Sequence, residues 1–378
     1  MSPLTKLMLP VLGAFLAAGP AGAEEFATKK VKIRIDVVAS GLEFPWAVEV
    51  LPDGAYLVTE RPGRLRIVRE GKPSAPIEGV PEVADRGQGG LLDVALSPRF
   101  AEDRTIFMTA ALAYDGGAGT GVIRARLSED ERSLTDVKTI FRMKKVGNTG
   151  RHFGSRIALG ADGKLYFAIG DRGDMKRGQD FMDHAASIIR INTDGSVPED
   201  NPFADGGKAL PEIFSKGHRN AQGLVFDPVT RGIITAEHGA QGGDEINLPK
   251  AGLNYGWAKI TYGKNYNGAR IGVGTTAPGL EQPAYFWDPS IAPGALVVYQ
   301  GEMFPEWKDD VLTTSLKFGL ISRLERDQSS KFGEEERFLD ADYGRLRDII
   351  VAPDGALLVT TDDPDGQILR ISRADGAS

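Results

Sequence analysis

The 378-residue sequence contains no cysteine, which excludes disulfides and thiolate metal sites. It contains only four histidines, so each one can be weighed separately as a candidate catalytic group. Beyond the N-terminal segment it has no apolar run long enough for a membrane helix. The formal net charge of -7 argues against a nucleic-acid partner, because neutralising phosphates requires a basic surface. These absences favour a soluble globular protein that acts on something other than nucleic acid.

The N-terminal segment has the pattern of a secretory signal peptide. Lys6 supplies a positive charge, residues 7–18 form an apolar run too short to span a bilayer, and residues 21–23 read Ala-Gly-Ala, a small-residue cleavage pattern. We therefore expect cleavage near Ala23, a single mature domain over residues 24–378, and export to a bacterial periplasm.

A strand-rich unit recurs along the rest of the chain. Each copy has an apolar strand, a turn of the Pro-Asp-Gly type, a second apolar strand and a third strand rich in Arg, Ile and Leu. The copies cover residues 48–68, 94–127, 156–195, 224–248, 295–325 and 349–372. Such self-similarity indicates a β-propeller, in which each blade buries its faces against its neighbours. The sequence thus predicts an all-β, six-bladed β-propeller with four antiparallel strands in each blade, in which a strand over Lys30–Ser40 completes the last blade.

Charged and polar side chains cluster just before the first strands of several units. His152 precedes the third unit, and His218 and Arg219 precede the fourth. Since equivalent loops of neighbouring blades meet on one face of a propeller, these side chains should converge. Loops at strand ends are where a rigid scaffold commonly carries its functional groups.

Three further cations fall near the ends of blade strands, namely Lys317 in the fifth unit and Arg345 and Arg347 before the sixth. If the blade registers match, they share one axial funnel with Arg219. Four cations gathered in an acidic protein indicate a ligand with several negative charges. The alternative is ordinary surface charge paired with carboxylates.

One glycine-rich loop, AEHGAQGGDEINL over residues 236–248, is a candidate site for a hard cation. Backbone carbonyls at its turn and the carboxylates Asp244 and Glu245 are the oxygen ligands that calcium prefers, although the spacing is not that of an EF-hand. The sequence has no nucleophile elbow, no His-Glu-x-x-His motif and no dinucleotide fingerprint. A serine hydrolase, a zinc protease and a Rossmann dehydrogenase are therefore disfavoured.

Taken together, several motifs resemble the soluble pyrroloquinoline quinone (PQQ) dependent aldose sugar dehydrogenases, the family of soluble quinoprotein glucose dehydrogenase. The resemblance runs from about Gly41 to Ile371, and the motifs occur in the family's order. They are GLEFPWAVEVLPDG, GQGGLLDVALSPRF, HFGSRIAL with LYFAIGDRG, GHRNAQGLVFDP, AEHGAQGGDEINL with GLNYGW, DPSIAPGA, SLKFGLISRL and RLRDIIVAPDG.

The resemblance implies a role for each matching residue. His152 would be the general base on the sugar's anomeric hydroxyl, and Gln88 would contact the substrate. The cofactor-binding residues would be Arg219, beside the reactive carbonyl, together with Asn220, Ser290, Lys317, Arg345 and Arg347. The carbonyls of Gly239 and Ala240 would bind calcium against the quinone, and Glu245 and Tyr255 lie near positions that hold additional calcium in some members.

One position departs from the family pattern, because Arg151 precedes His152 where the glucose enzyme carries an acidic residue. The departure leaves the partner of His152 and the preferred sugar open. The expected activity is PQQ- and calcium-dependent oxidation of aldoses to lactones, with electrons passed to an external acceptor and no membrane span. Two alternatives stay open: a non-catalytic propeller that binds a sugar or a protein, and a calcium-dependent lactonase of another propeller family. Both a monomer and a homodimer are compatible with the sequence.

Overall fold

The structure, a computed structural model, describes residues 24–374. The predicted signal peptide, residues 1–23, lies outside the described residues. No helix within residues 24–374 is long and apolar enough to cross a bilayer.

Six antiparallel sheets, each built mainly from consecutive strands, make up the fold. Two strands, β1 (Glu24–Ala27) and β2 (Lys32–Leu42), precede the first blade. Blade one consists of β3 (Pro45–Val50), β4 (Tyr56–Glu60), β5 (Arg64–Arg69) and β6 (Lys72–Pro73). Blade two consists of β7 (Leu91–Leu96), β8 (Thr105–Tyr114), β9 (Gly117–Leu127) and β10 (Leu134–Arg142). Blade three consists of β11 (Ile157–Leu159), β12 (Leu165–Ile169), β13 (Ser187–Ile191) and β14 (Ile213–Lys216).

Blade four consists of β15 (Ala221–Asp227), β16 (Gly232–Glu237), β17 (Asp244–Asn247) and β18 (Tyr285–Trp287). Blade five consists of β19 (Pro293–Val298), β20 (Val311–Ser315), β21 (Ile321–Arg326) and β22 (Phe332–Phe338). Blade six contains β23 (Leu346–Val351), β24 (Leu357–Thr361) and β25 (Gly366–Arg373). The helical segments of the described chain are one short α-helix, Phe100–Asp103, and two 3₁₀ turns, Met175–Gln179 and Pro305–Trp307. The predicted six-bladed β-propeller is confirmed.

The two ends of the described chain meet in blade six. Strand β2 pairs antiparallel with β25, with Ile35 opposite Ile371, and β1 adds a fifth strand outside β2. The prediction that the strand over Lys30–Ser40 completes the last blade is therefore confirmed. This pairing closes the ring and covers a sheet edge that would otherwise be open to association.

The first strands of the six blades, β3, β7, β11, β15, β19 and β23, contact one another around the axis. Apolar residues from adjacent blades fill the spaces between sheets; Leu57, Leu91 and Met108, for example, are fully buried between blades one and two. Because every blade contributes the start of its first strand to one axial end, loops far apart in sequence are brought together there.

A buried ion pair ties four blades together at the axis. Arg156 Nη1 donates to Asp93 Oδ1 at 2.9 Å and lies 2.8 Å from Asp348 Oδ1. The other carboxylate oxygens accept from backbone amides, Asp93 from Ile157 and Asp348 from Val48. The guanidinium carbon of Arg156 lies 4.3 Å from the centre of the Trp46 ring. Cavities of about 560 and 340 Å³ occupy the axial region, the first bordered by Trp46 and the second by Arg156.

Candidate active site

The larger cavity lies at the axial end where the loops before the first strands meet. Its lining includes apolar residues such as Trp46 together with several polar groups contributed by different blades: Gln88, Asn220, Gln222, Arg345 and Arg347. Four of these, Gln88, Asn220, Arg345 and Arg347, are residues that the sequence singled out. The propeller therefore brings together side chains that lie as far apart in the chain as Trp46 and Arg347.

Two arginines of blade six face the cavity and share one carboxylate. Arg345 and Arg347 each place a guanidinium nitrogen 2.9 Å from Asp362 Oδ2. Burial would raise the pKa of Asp362, but the charge of Arg347 and the hydrogen bond from Arg345 hold it at about 2. Arg61 and Asp363 also line the cavity, so three arginines face two carboxylates and leave a net positive charge, which favours an anionic ligand.

Arg347 and the amide of Asn220 have donors that no described residue uses. Arg347 Nη1 donates to Gln222 Oε1 at 2.9 Å, while its buried Nε has no hydrogen-bond partner among the described residues. Asn220 Oδ1 accepts from the Gly154 amide at 3.2 Å and from Gln222 Nε2 at 3.3 Å. Since its carbonyl oxygen is used in this way, Asn220 has its NH₂ group left to offer. These donors fit a ligand rich in carboxylate and carbonyl oxygens.

Lys317 and Ser290 lie together beside this wall. Lys317 Nζ donates to the backbone carbonyl of Ser290 at 3.1 Å, and the Ser290 hydroxyl donates to Asp244 Oδ2 at 2.7 Å. Arg345 Nη1 donates to the carbonyl of Leu316, the neighbour of Lys317. Lys317 is exposed and is not among the residues that line the cavity, although Leu316 is. Its ammonium group therefore borders the site and does not form its wall.

His152 is held in a defined orientation by two contacts. Its backbone, with a left-handed φ of 52°, donates from N to Gln88 Oε1 at 2.7 Å. Its ring Nδ1 lies 2.6 Å from Asp171 Oδ1, and since a carboxylate can only accept, Nδ1 carries the proton. No hydrogen bond within residues 24–374 involves its Nε2, whose lone pair is therefore available as a base. Asp171 is thus the partner that the sequence left open.

Asp171 is ionised, and the groups around it set its pKa. Burial would raise its pKa, but the hydrogen bond from His152 and the charges of His152 and Arg219 hold the pKa below the usual range of a carboxyl. The carboxylate also accepts from the Gly173 amide at 2.7 Å and from Trp257 Nε1 at 2.7 Å. Arg151, by contrast, is exposed, and its carbonyl accepts from Arg172 Nη1.

Arg219 lies on the other side of Trp257. Its guanidinium carbon is 5.3 Å from the centre of the Trp257 ring, and Nη1 donates to the carbonyl of His238 at 3.2 Å. Arg219 lines a smaller neighbouring cavity and not the large one, which Asn220, the next residue in the chain, and His238, whose carbonyl Arg219 contacts, do line. Arg219 therefore borders the smaller cavity and not the large one that Arg345 and Arg347 line.

The predicted calcium residues surround a second, much smaller cavity of about 10 Å³. Its lining includes Glu237, Gly239, Glu245 and Tyr255. Ala240 follows Gly239 in the chain and is buried. Burial raises the pKa of Glu245 to about 8, and the charge of Glu237 adds to the effect. The cavity is about the size of one ion or water. Glu237 and Glu245 place two buried carboxyl groups beside it, and Arg219 also lines it. A bound cation would favour the ionised form of Glu245.

The turn at Gly239 leaves no room for a side chain. A Cβ there would lie 2.2 Å from the carbonyl oxygen of Gly242 and 2.3 Å from that of Gly243. Residues 24–374 contain no group of three or more carboxylate or imidazole side chains placed to hold an ion. A cation bound here would therefore depend on backbone carbonyls as well as on Glu245, the ligand types that the sequence indicated for calcium.

Sequence reasoning missed several residues of the site, notably Asp171, Trp257, Trp46, Gln222 and Asp362. Asp171 follows the second strand of blade three in LYFAIGD, and a carboxylate directly after a buried strand was a signal that could have been used. Asp362 likewise follows β24. Trp257 and Gln222 gave no such signal, because their relevance depends on contacts across blades.

Comparison with known proteins agrees with this geometry. The model of a family described as Glucose / Sorbosone dehydrogenase matches residues 42–370. The chain is 39% identical to the aldose sugar dehydrogenase YliI of Escherichia coli, over 90% of this chain and 93% of that one. It is 27% identical to quinoprotein glucose dehydrogenase B of Acinetobacter calcoaceticus, over 97% of this chain and 92% of the other.

Solved structures show the same similarity. The apo-form crystal structure of the soluble aldose sugar dehydrogenase from Escherichia coli superposes with a TM-score of 0.87 at 38% identity, over 90% of this chain and 99% of that one. The PQQ-bound aldose sugar dehydrogenase of Streptomyces coelicolor superposes with a TM-score of 0.75 at 28% identity, over 90% and 98% of the two chains.

Proposed function

Because the chain belongs to the glucose / sorbosone dehydrogenase family, we propose that it oxidises aldose sugars to the corresponding lactones with PQQ and calcium as cofactors and passes the electrons to an external acceptor. The observation that carries the proposal is the His152–Asp171 pair, in which Nε2 of the imidazole has no hydrogen-bond partner among the described residues. Gln88, which accepts from the His152 backbone, and Phe153, which follows His152 in the chain, line the cavity that has the cationic wall. Such an arrangement would allow the imidazole to remove a proton from a neutral substrate that lies next to an anionic cofactor.

The cavity suits PQQ in charge and in hydrogen bonding. Arg345 and Arg347 supply positive charge against the three carboxylates of PQQ, and the unpartnered Nε of Arg347 is a buried donor that lacks an acceptor. Asn220 would add an amide donor, and Lys317 and Ser290 would reach the cofactor from the rim. When bound, PQQ would supply an ortho-quinone able to accept the hydride, and with it two electrons, from the sugar carbon, and calcium would act as a Lewis acid.

The chain's own residues prepare the substrate. His152 Nε2 accepts the proton of the anomeric hydroxyl as the bond from carbon to hydrogen breaks, since a neutral imidazole is suited to this task near neutral pH. Asp171 holds the ring with Nδ1 protonated and stabilises the imidazolium that forms. Gln88 fixes the backbone of His152 and can present its NH₂ group to the sugar. Arg219 contributes a fixed positive charge near the reacting groups.

Calcium would be held by backbone carbonyls at Gly239 and Ala240, next to the turn where Gly242 and Gly243 carbonyls converge. A further calcium would fit the small cavity between Glu245 and Tyr255. Hard cations favour such oxygen ligands. Export to the periplasm is part of the proposal and rests on the N-terminal segment; N-terminal sequencing of the protein from a periplasmic fraction would test it.

The proposed activity is tested by reconstitution. Purified protein freed of metal is incubated with PQQ and calcium, and dye reduction is followed with several aldoses. We expect activity that requires both additions, and a His152→Gln variant that binds PQQ as the wild type does but turns over at least 10²-fold more slowly. A folded protein that binds PQQ and oxidises no aldose would refute the dehydrogenase. A folded protein that gives no change in quinone absorbance on titration with PQQ would instead favour a non-catalytic propeller.

A further inference from the structure

The buried indole of Trp257 connects two parts of the site. On one edge Nε1 donates to Asp171 Oδ2 at 2.7 Å, and the guanidinium of Arg219 lies near the ring. Trp257 comes from the long connection between β17 and β18 of blade four, whereas Asp171 follows β12 of blade three. The contact therefore joins elements 86 residues apart, and nothing in either segment alone would create it.

The hydrogen bonds at Asp171 are divided between its two oxygens. Oδ1 accepts from the His152 ring and from the Gly173 amide, while Oδ2 accepts from Trp257 alone among the residues described. A donor on Oδ2 draws negative charge away from the oxygen that faces the imidazole. The strength of that donor therefore affects how well Asp171 stabilises a proton on His152.

We infer that Trp257 is a positioning residue for the general base, which it orients and tunes through Asp171 so that His152 stays unprotonated at lower pH than it would without the indole. The inference rests on the proposed function only in assigning His152 the role of base. The contact between Trp257 and Asp171 does not depend on what the protein oxidises.

Other charged groups near the pair do not replace this contact. Arg219 acts on Asp171 through its charge, and it lies on the face of Trp257, not on its edge. Arg172 stacks on Phe153, and its Nη1 bonds the Arg151 carbonyl. His238 Nε2 donates to the Pro293 carbonyl at 2.7 Å, so this ring is bonded to the backbone of blade five and not to Asp171.

The test is a titration of histidine ring signals by NMR in the full mature chain, without substrate or PQQ. Trp257→Phe removes the donor and keeps an aromatic ring, and we expect the His152 signal to titrate about one pH unit higher than in the wild type, a tenfold change in proton affinity. In an Asp171→Asn background, the same substitution should produce no further shift, because its effect passes through the carboxylate.

A matched control is Trp307→Phe, which truncates a fully buried tryptophan of blade five whose Nε1 has no partner among the described residues. It should lower stability without moving the His152 titration. An unchanged His152 titration in folded Trp257→Phe would overturn the inference, as would an equal shift in Trp307→Phe.

If Trp257→Phe does not fold, the inference can still be tested with the wild type and Asp171→Asn. The indole N–H signal of Trp257 should then shift with the same midpoint as the His152 ring and lose that shift in Asp171→Asn; an indole signal indifferent to the titration would contradict the inference. In reconstituted enzyme, the acid limb of kcat/KM should move to higher pH in Trp257→Phe. Loss of aldose oxidation in the wild type would refute the proposed function and leave the NMR result untouched.

Discussion

Replacing Asp171 by asparagine tests the carboxylate that orients His152. The carboxylate receives three N–H donors, from the His152 ring at 2.6 Å and from Gly173 and Trp257 at 2.7 Å each. An asparagine has one acceptor oxygen and one NH₂ group, so it cannot satisfy all three donors. Either orientation places NH₂ against a donor.

The two orientations have different consequences. If the amide oxygen replaces Oδ1, the NH₂ group faces the Trp257 N–H, and His152 keeps its proton on Nδ1. If it replaces Oδ2, the NH₂ group faces the Gly173 amide and donates to the imidazole, which moves the ring proton to Nε2 and removes the base. In both cases the negative charge that stabilises the imidazolium is lost.

The magnitude follows from these contacts. A hydrogen bond to a charged group contributes about 1.5–3 kcal/mol, so loss of the charge alone should slow turnover roughly 10- to 100-fold. A shift of the tautomer would enlarge the loss toward about 10⁴-fold, the effect of the equivalent change in serine protease triads. We therefore expect kcat to fall by at least tenfold while affinity for PQQ changes little.

The assay is dye reduction by reconstituted enzyme, with PQQ affinity measured separately by absorbance. Asp227→Asn is the matched control, because Asp227 is a buried carboxylate of blade four that pairs with Arg326 away from the site. It should reduce stability and leave kcat unchanged. A folded Asp171→Asn enzyme with wild-type kcat at every pH would refute the assignment of His152 as the general base and of Asp171 as its partner.

Three further outcomes are expected. Arg347→Met should weaken PQQ binding about 10- to 100-fold by equilibrium titration, since it removes a buried charged donor, whereas Arg34→Met on the surface should not. Burial, followed by the charges of Asp93 and Asp348, raises the pKa of Glu49 to about 8, so the folded chain retains a proton that the unfolded chain releases near pH 4.5. The free energy of unfolding should therefore fall as pH rises from about 4.5 to 8 and then level off, and Glu49→Gln should flatten this dependence in urea titrations; an unchanged slope would contradict it. Added calcium should raise the Tm of the metal-free wild type more than it raises the Tm of Glu245→Gln. An equal rise in both proteins would show that the ion does not bind at Glu245.

Much of the fold followed from local patterns. The recurring strand and turn units predicted six blades, and the alternation over Lys30–Ser40 identified the strand that closes the ring, because both signals depend on neighbours in sequence. The same logic located His152, Arg345 and Arg347, which lie at the ends of recognisable blade strands. The sequence placed Lys317 in the fifth unit, but it did not show that the side chain lies at the rim of the cavity and not in its wall.

The amino-acid sequence by itself determined the number of blades, the closure of the ring and the face on which polar loops would meet, since strand periodicity and turn residues act over short stretches of chain. Only the tertiary structure decided which carboxylate holds His152, how Asp362 is shared between Arg345 and Arg347, and that Trp257 donates to Asp171. Those contacts join side chains from different blades, and their geometry depends on how the blades pack around the axis, which no local pattern encodes.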